Sequence, residues 1–211
     1  MRISPRWTSY LLSYGGDIAF GLFALQFLFV YRLIQFLDRI PFVVPPTPFD
    51  VAIPFVPVFI IPYALFVPMI IVAFYYSRRV PGGFNAAALA FLLTATTAHA
   101  FFLFFPTTMD RAALPPDGFF VDLVRFVYEN DKPVNLFPSL HVAYTFLANG
   151  VLFHVHRRLA WWMVPVSVLI VLSTVFLKQH LLIDIVGGMM TGVLAYLVFK
   201  RVYAVQTTAA R

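Results

Sequence analysis

The sequence predicts an all-α membrane protein: six transmembrane helices in a bundle, with a short amphipathic interfacial helix between spans three and four. Three observations carry that prediction. Of the 211 residues, 61% are hydrophobic and only 11% are charged, whereas about a quarter are charged in a soluble domain. Apolar stretches recur at roughly the 20-residue length a helix needs to cross a bilayer. Tight pairs of basic residues sit at the ends of these stretches, as they do on the cytoplasmic side of membrane proteins.

The spans follow in order. The first covers Tyr10 to Tyr31, the second Val51 to Tyr76, the third Phe84 to Phe105 and the fourth Ser139 to Phe153, extending through His156. The fifth covers Trp161 to Leu177 and the sixth Leu181 to Phe199. The second contains Pro54, Pro57, Pro62 and Pro68. Proline removes a donor and clashes with the preceding turn, so a broken or re-entrant helix is expected there. The longest loop, Pro106 to Pro138, holds the turn signal Pro115-Pro116-Asp117-Gly118. After it, Phe119 to Tyr128 repeats apolar residues at helical spacing, with Asp122 and Arg125 between them. This is the interfacial helix. With no internal repeat and no soluble second domain, residues 1–211 read as one membrane domain. The 25 phenylalanines suit lipid-facing and interfacial surfaces.

Basic residues set the orientation. With the N-terminus in the cytoplasm, the pairs Arg78-Arg79, Arg157-Arg158 and Lys200-Arg201 fall inside, with Arg2, Arg6 and Arg211. Arg32, Arg39, Arg111, Arg125, Lys132 and Lys178 fall outside. Met1 to Arg6 is basic but leads into a full-length apolar stretch, which reads as a retained span rather than a cleaved signal. The net charge of +6 comes without a basic helix or an aromatic-and-basic platform, which argues against a nucleic-acid partner. It suits cytoplasmic flanks and an anionic substrate. There is no cysteine, hence no disulfide frame or thiolate metal site. No carboxylate cluster suited to Mg²⁺ is visible, and no cofactor is called for.

Charged and polar residues at membrane depth are costly, so each is a functional candidate. In the predicted topology they converge on the outer face: Arg111, then Ser139 and His141 at the start of span four, then Ser173 through Lys178 to His180 and Asp184. His180 and Asp184, four residues apart, share a helix face. A carboxylate on one imidazole nitrogen fixes the tautomer and frees the other as a nucleophile. Alone, such a pair can equally be self-satisfied between helices. In Pro138-Ser139-Leu140-His141, proline suits a first helical turn, whose free N–H groups and positive dipole end bind anions. His141 there can protonate a leaving oxygen. By itself that string is just as readily an ordinary capped helix start.

Together the two stretches resemble the type-2 phosphatidic acid phosphatase superfamily, from roughly Phe105 to Gly188. Pro138, Ser139 and His141 match its P-S-x-H motif; Ser173, His180 and Asp184 match S-R-x5-H-x3-D. Two departures stand out. Thr174 replaces the third-motif Arg. The first motif, K-x6-R-P, gives way to Phe105-Pro106-Thr107-Thr108-Met109-Asp110-Arg111, with Ala112 following Arg111. This is similar to the Y-P-x4-R variant of the inositol phosphorylceramide synthases, as are Lys178-Gln179-His180 and Asn135-Leu136-Phe137-Pro138.

The resemblance implies a metal-independent lipid phosphatase with catalytic segments within 105–188. His180 would attack phosphorus, Asp184 orient it, and His141 protonate the leaving oxygen. Arg111, Lys178, Ser139 and Ser173 would hold the phosphoryl oxygens. The substrate would be a phospholipid or polyprenyl phosphate, met at the periplasmic or extracellular face. The compact length points to a bacterial inner membrane. The first rival is a phosphotransferase passing the group to a hydroxyl acceptor. The second is a transporter or scaffold using its His and Asp residues as an ion path, which the lack of a titratable chain through the bilayer centre disfavours. Other residues receive bland readings: His99 as a satisfied polar group, His154 and His156 as interfacial, Asp17 as helix packing, and Gly187 and Gly188 as close-approach sites.

Overall fold

The structure, a computed structural model, describes residues 5–37, 40–111 and 113–209. Arg2, Arg39 and Arg211, used for orientation, and Ala112 of the motif comparison lie outside the described residues.

Helix α1, Pro5–Leu25, runs through a π-helical turn, Gln26–Val30, into α2, Tyr31–Gln35. A parallel two-stranded ladder joins β1, Phe42–Val43, to β2, Thr107–Thr108. The proline-rich second segment is broken, as its composition predicts. It consists of α3 (Pro48–Ala52), a 3₁₀ turn (Pro57–Phe59), α4 (Ile60–Ala64) and α5 (Phe66–Ser77). Leu65 marks the interruption, where the Pro68 ring crowds the carbonyl one turn back, that of Ala64. Then come α6 (Gly83–Phe104), α7 (Phe119–Asn130), α8 (Leu140–Val155), α9 (Arg157–Phe176) and α10 (Leu182–Ala209).

Five of the described helical stretches are long and apolar enough to cross a membrane: Gly15–Gln35, Pro57–Ser77, Gly83–Phe104, Arg157–Phe176 and Leu182–Thr208. The predicted fourth span is the shorter α8, of 16 residues. The chain is an all-α integral membrane protein by helix content, length and composition. The second span begins at Pro57, later than the predicted Val51, because Thr47 caps α3 and diverts the chain there.

Lipid tails are as apolar as leucine, so these helices gain little from hydrophobic burial against one another; close packing of small residues brings them together. Helix α6 supplies such a face: Ala86, Ala87, Ala88, Ala90, Ala95 and Ala98 are fully buried. It packs against α1, α8 and α10, while α8 also contacts α9 and α5. An aromatic cluster fills the centre. Phe23 lies 5.4 Å from Phe91, and Phe91 stacks on Tyr144 at 5.7 Å between ring centroids. The phenylalanines are therefore not only lipid-facing: Phe23, Phe91, Phe102 and Phe199 are core, while Phe29, Phe104 and Phe126 are exposed.

The loop layer at one end of the bundle has its own order. Thr107 accepts the Asn135 N–H at its carbonyl (2.8 Å) and the Leu136 and Phe137 N–H groups at its hydroxyl (3.0 and 3.1 Å). Residues 106–108 thus tie the ladder to the segment entering α8. His154 and His156, against Tyr203 and Tyr76, lie at the other end of α8.

Candidate active site

Ser139 is the N-cap of α8, its hydroxyl oxygen accepting the Val142 N–H at 3.4 Å. That places His141 in the first turn. Its ring is sandwiched by aromatic faces, with Tyr63 stacked at 4.4 Å and Phe66 at 4.0 Å between centroids. The second half of the site comes from the α9–α10 connection. Lys178 ends α9 with a left-handed backbone, φ 52°, uncommon outside glycine. The turn it makes lets the Thr174 carbonyl accept the N–H groups of both Gln179 (2.9 Å) and His180 (3.1 Å). Asp184, in the first turn of α10, is fully buried. Its Oδ2 accepts the Leu181 N–H at 2.9 Å and faces His180 Nδ1 at 3.4 Å. That contact assigns the ring proton to Nδ1 and leaves the Nε2 lone pair free. The imidazoles of His141 and His180, from different helices, stand 6.3 Å apart between centroids.

Two glycines let the halves meet. A Cβ on Gly188 would fall 2.6 Å from the Ser139 carbonyl oxygen, and one on Gly187 would fall 2.3 Å from the Phe137 ring. Bare backbone at both positions brings α10 against the start of α8, where the Asp184 carbonyl accepts the Ser139 N–H at 3.2 Å.

Arg111 reaches the site from the loop after α6. Its guanidinium donates to the carbonyls of Asp131 (2.6 Å) and Tyr128 (3.3 Å) and to Gln179 Oε1 (2.5 Å). It also lies over the Tyr128 ring at 4.3 Å. Three of its five N–H donors are thereby used; Nε is buried without a partner among the described residues. Tyr128 in turn donates to the Leu177 carbonyl at 2.7 Å, docking α7 on the end of α9. Burial pushes the Tyr128 hydroxyl up to about 12, against the opposing pull of Arg111.

The structure brings His141, His180 and Arg111 to one cavity of about 120 Å³, lined also by Gln179, Asp131, Asn135, Tyr31 and His99. Lys178 lines a neighbouring pocket with Arg111 and His180. Its ammonium donates to the carbonyls of Asp50 (2.8 Å) and Ile53 (2.5 Å). Ser173 is fully buried and donates to Ile170 at 2.6 Å, away from both cavities.

Sequence reasoning missed Asp50. Its Oδ1 accepts the Leu182 N–H at 2.7 Å, closing an open amide at the start of α10 from 132 residues away. Its Oδ2 accepts the Thr47 N–H at 2.8 Å in a reciprocal capping box. Thr47-Pro48-Phe49-Asp50 carries the signature of such a box, a signal masked by reading the apolar span from Val51. Burial alone would raise the Asp50 carboxyl, but bonds from Thr47 and Leu182, with Lys178 nearby, hold it below its ordinary 3.8.

A family model described as the PAP2 superfamily matches residues 52–198. The chain belongs to the PAP2 superfamily. PAP2 membership makes it a phosphatase-type lipid phosphoesterase of the membrane. The match takes in the predicted site residues Arg111, Ser139, His141, Ser173, Lys178, His180 and Asp184, and begins two residues past Asp50. Neither the curated proteins nor the solved structures contain a match to this PAP2 chain.

Proposed function

We propose that the protein is a lipid phosphatase that cleaves a phosphate or diphosphate head group through a phosphohistidine. One observation carries the reading: two imidazoles from different helices line one cavity 6.3 Å apart, one of them backed by a buried carboxylate. Nε2 of His180 attacks phosphorus, and the bond from phosphorus to the leaving oxygen breaks, its electron pair staying on that oxygen. Protonated His141 gives its proton to that oxygen. Neutral His141 then takes a proton from water, whose oxygen attacks phosphorus, breaks the P–N bond and releases inorganic phosphate. Asp184 holds the His180 tautomer and offsets the charge the ring gains. The remaining donors of Arg111 and the amides at the start of α8 hold the phosphoryl oxygens, and such preorganised donors supply most of the stabilisation in phosphoryl transfer. Lys178, with two of its three N–H groups on carbonyls, and the capping Ser139 add to that field, whereas Ser173, its hydroxyl committed to the Ile170 carbonyl, takes no direct part. No metal takes part in this scheme.

In this reading α8 completes a six-span bundle with both termini in the cytoplasm of a bacterium and the cavity at the periplasmic side. Helix α7 lies along the interface, its exposed Phe119, Leu123 and Phe126 toward lipid and its Val121 and Val124 buried.

The purified protein in liposomes, given phosphatidic acid, phosphatidylglycerol phosphate or a polyprenyl diphosphate without metal, releases inorganic phosphate, and orthovanadate blocks it. Full turnover by His180→Ala or His141→Ala protein would falsify the scheme. A second reading, transfer to a hydroxyl acceptor, is favoured by the extension of the cavity past the histidines to Asp131 and Asn135. A strict requirement for an added acceptor would select it.

A further inference from the structure

The cavity that holds His141 and His180 also holds a carboxylate, Asp131. A phosphoryl group has no use for one, since like charges at close range repel strongly in a medium of low dielectric. Asp131 is nonetheless fixed in place: its Oδ1 accepts from the Tyr31 hydroxyl at 2.9 Å and from Gln35 Nε2, and its carbonyl accepts Arg111. Its Oδ2 has no hydrogen bond among the described residues. Asn135, only 3% exposed, lines the same cavity. Neither its Oδ1 nor its Nδ2 has a partner among the described residues. Leaving a buried amide unpaired is costly, so a ligand that pairs with it gains selectively. The backbone of Asn135 is left-handed, φ 63°, and is held there by Thr107.

We propose that Asp131 and Asn135, braced by Tyr31 and Gln35, form a subsite for a small polyol next to the phosphoryl site. The inference rests on the phosphoryl-transfer reading above. Each hydroxyl of a polyol both donates and accepts, so two of them together match a carboxylate oxygen and both ends of an amide. An ammonium group only donates. It would leave Asn135 Nδ2 unmatched and would face Arg111 and Lys132, which line the same cavity. The polyol shares one cavity of about 120 Å³ with the phosphoryl group, which restricts it to a small one. The polyol is either esterified to the reacting phosphate or free as the acceptor.

Three assays on one liposome preparation separate these sources. The first reads inorganic phosphate from phosphatidic acid. The second reads glycerol phosphate released from phosphatidylglycerol. The third reads glycerol phosphate formed from phosphatidic acid and free glycerol. The variants are Asn135→Gly, which tolerates the left-handed backbone, and Asp131→Asn. The expected result is glycerol phosphate in the second or third assay. In that assay each variant lowers kcat/KM, relative to the first assay, by about tenfold or more, as losing a hydroxyl contact does. Glycerol phosphate in the second assay assigns the subsite to a head group, and in the third alone to an acceptor. An unchanged ratio overturns the subsite, and so does equal loss in all three assays by both variants, which would mark a folding defect. Inorganic phosphate without any glycerol phosphate from the wild type overturns the subsite but leaves the phosphatase reading intact. No product in any assay overturns both.

Discussion

His180 turns one ring nitrogen to a carboxylate that water does not reach, and that contact is worth testing by itself. Asp184→Asn keeps the shape but lets the amide stabilise the wrong tautomer, so kcat is expected to fall about 10²- to 10⁴-fold with the protein still folded. His141→Ala is expected to cost a similar factor, and less for substrates whose leaving oxygen needs no proton. Steady-state kinetics on a lipid phosphate and on an aryl phosphate would show this difference; equal losses on both would remove the acid role. These residues were legible in the sequence because imidazole and carboxylate at membrane depth demand a reason. Asn135 and Gln179 stood in the sequence only as members of motif stretches without a role, since an amide in a loop is ordinary until the fold buries it.

Helix α10 owes its place to two kinds of contact. One is steric: Gly188→Ala drives a Cβ toward the Ser139 carbonyl, at 2.6 Å in the present backbone. Backbone cannot give way as a flexible side chain can, so the substitution is expected to cost about 1–3 kcal/mol, read as a lower melting temperature in detergent. The other is electrostatic. Asp50 has its folded pKa below 3.8, so its stabilising contribution is fully present above that value and is lost as pH falls through the lowered one. The wild-type melting temperature should therefore drop more steeply with acid below pH 3.8 than that of Asp50→Asn. Parallel acid profiles would show that the carboxylate contributes nothing of this kind. At this scale the sequence revealed helices and their breaks through hydrophobic length and proline. The β1–β2 ladder escaped it, because two-residue strands carry no periodicity.

Across the whole molecule, one end gathers His141, His180 and Arg111 in one cavity while His154, His156 and the neighbouring basic pair occupy the other. The chain has no cysteine, so single introduced thiols report sidedness cleanly. Asp117→Cys is expected to react with a membrane-impermeant maleimide on intact cells, and Arg157→Cys only after permeabilisation. The reverse pattern would invert the topology. Bundle architecture was readable from apolar length and basic flanks. What joins its halves was not, because the Asp50 to Leu182 bond links residues that no local pattern relates.

That long-range bond also decides how much polypeptide a working enzyme needs. A protein trimmed to residues 52–198 would keep every motif and still lack the upstream strap, leaving the Leu182 N–H at the start of α10 without its acceptor. A unit that begins by Thr47 keeps both that bond and its capping box, and is expected to be the more stable of the two.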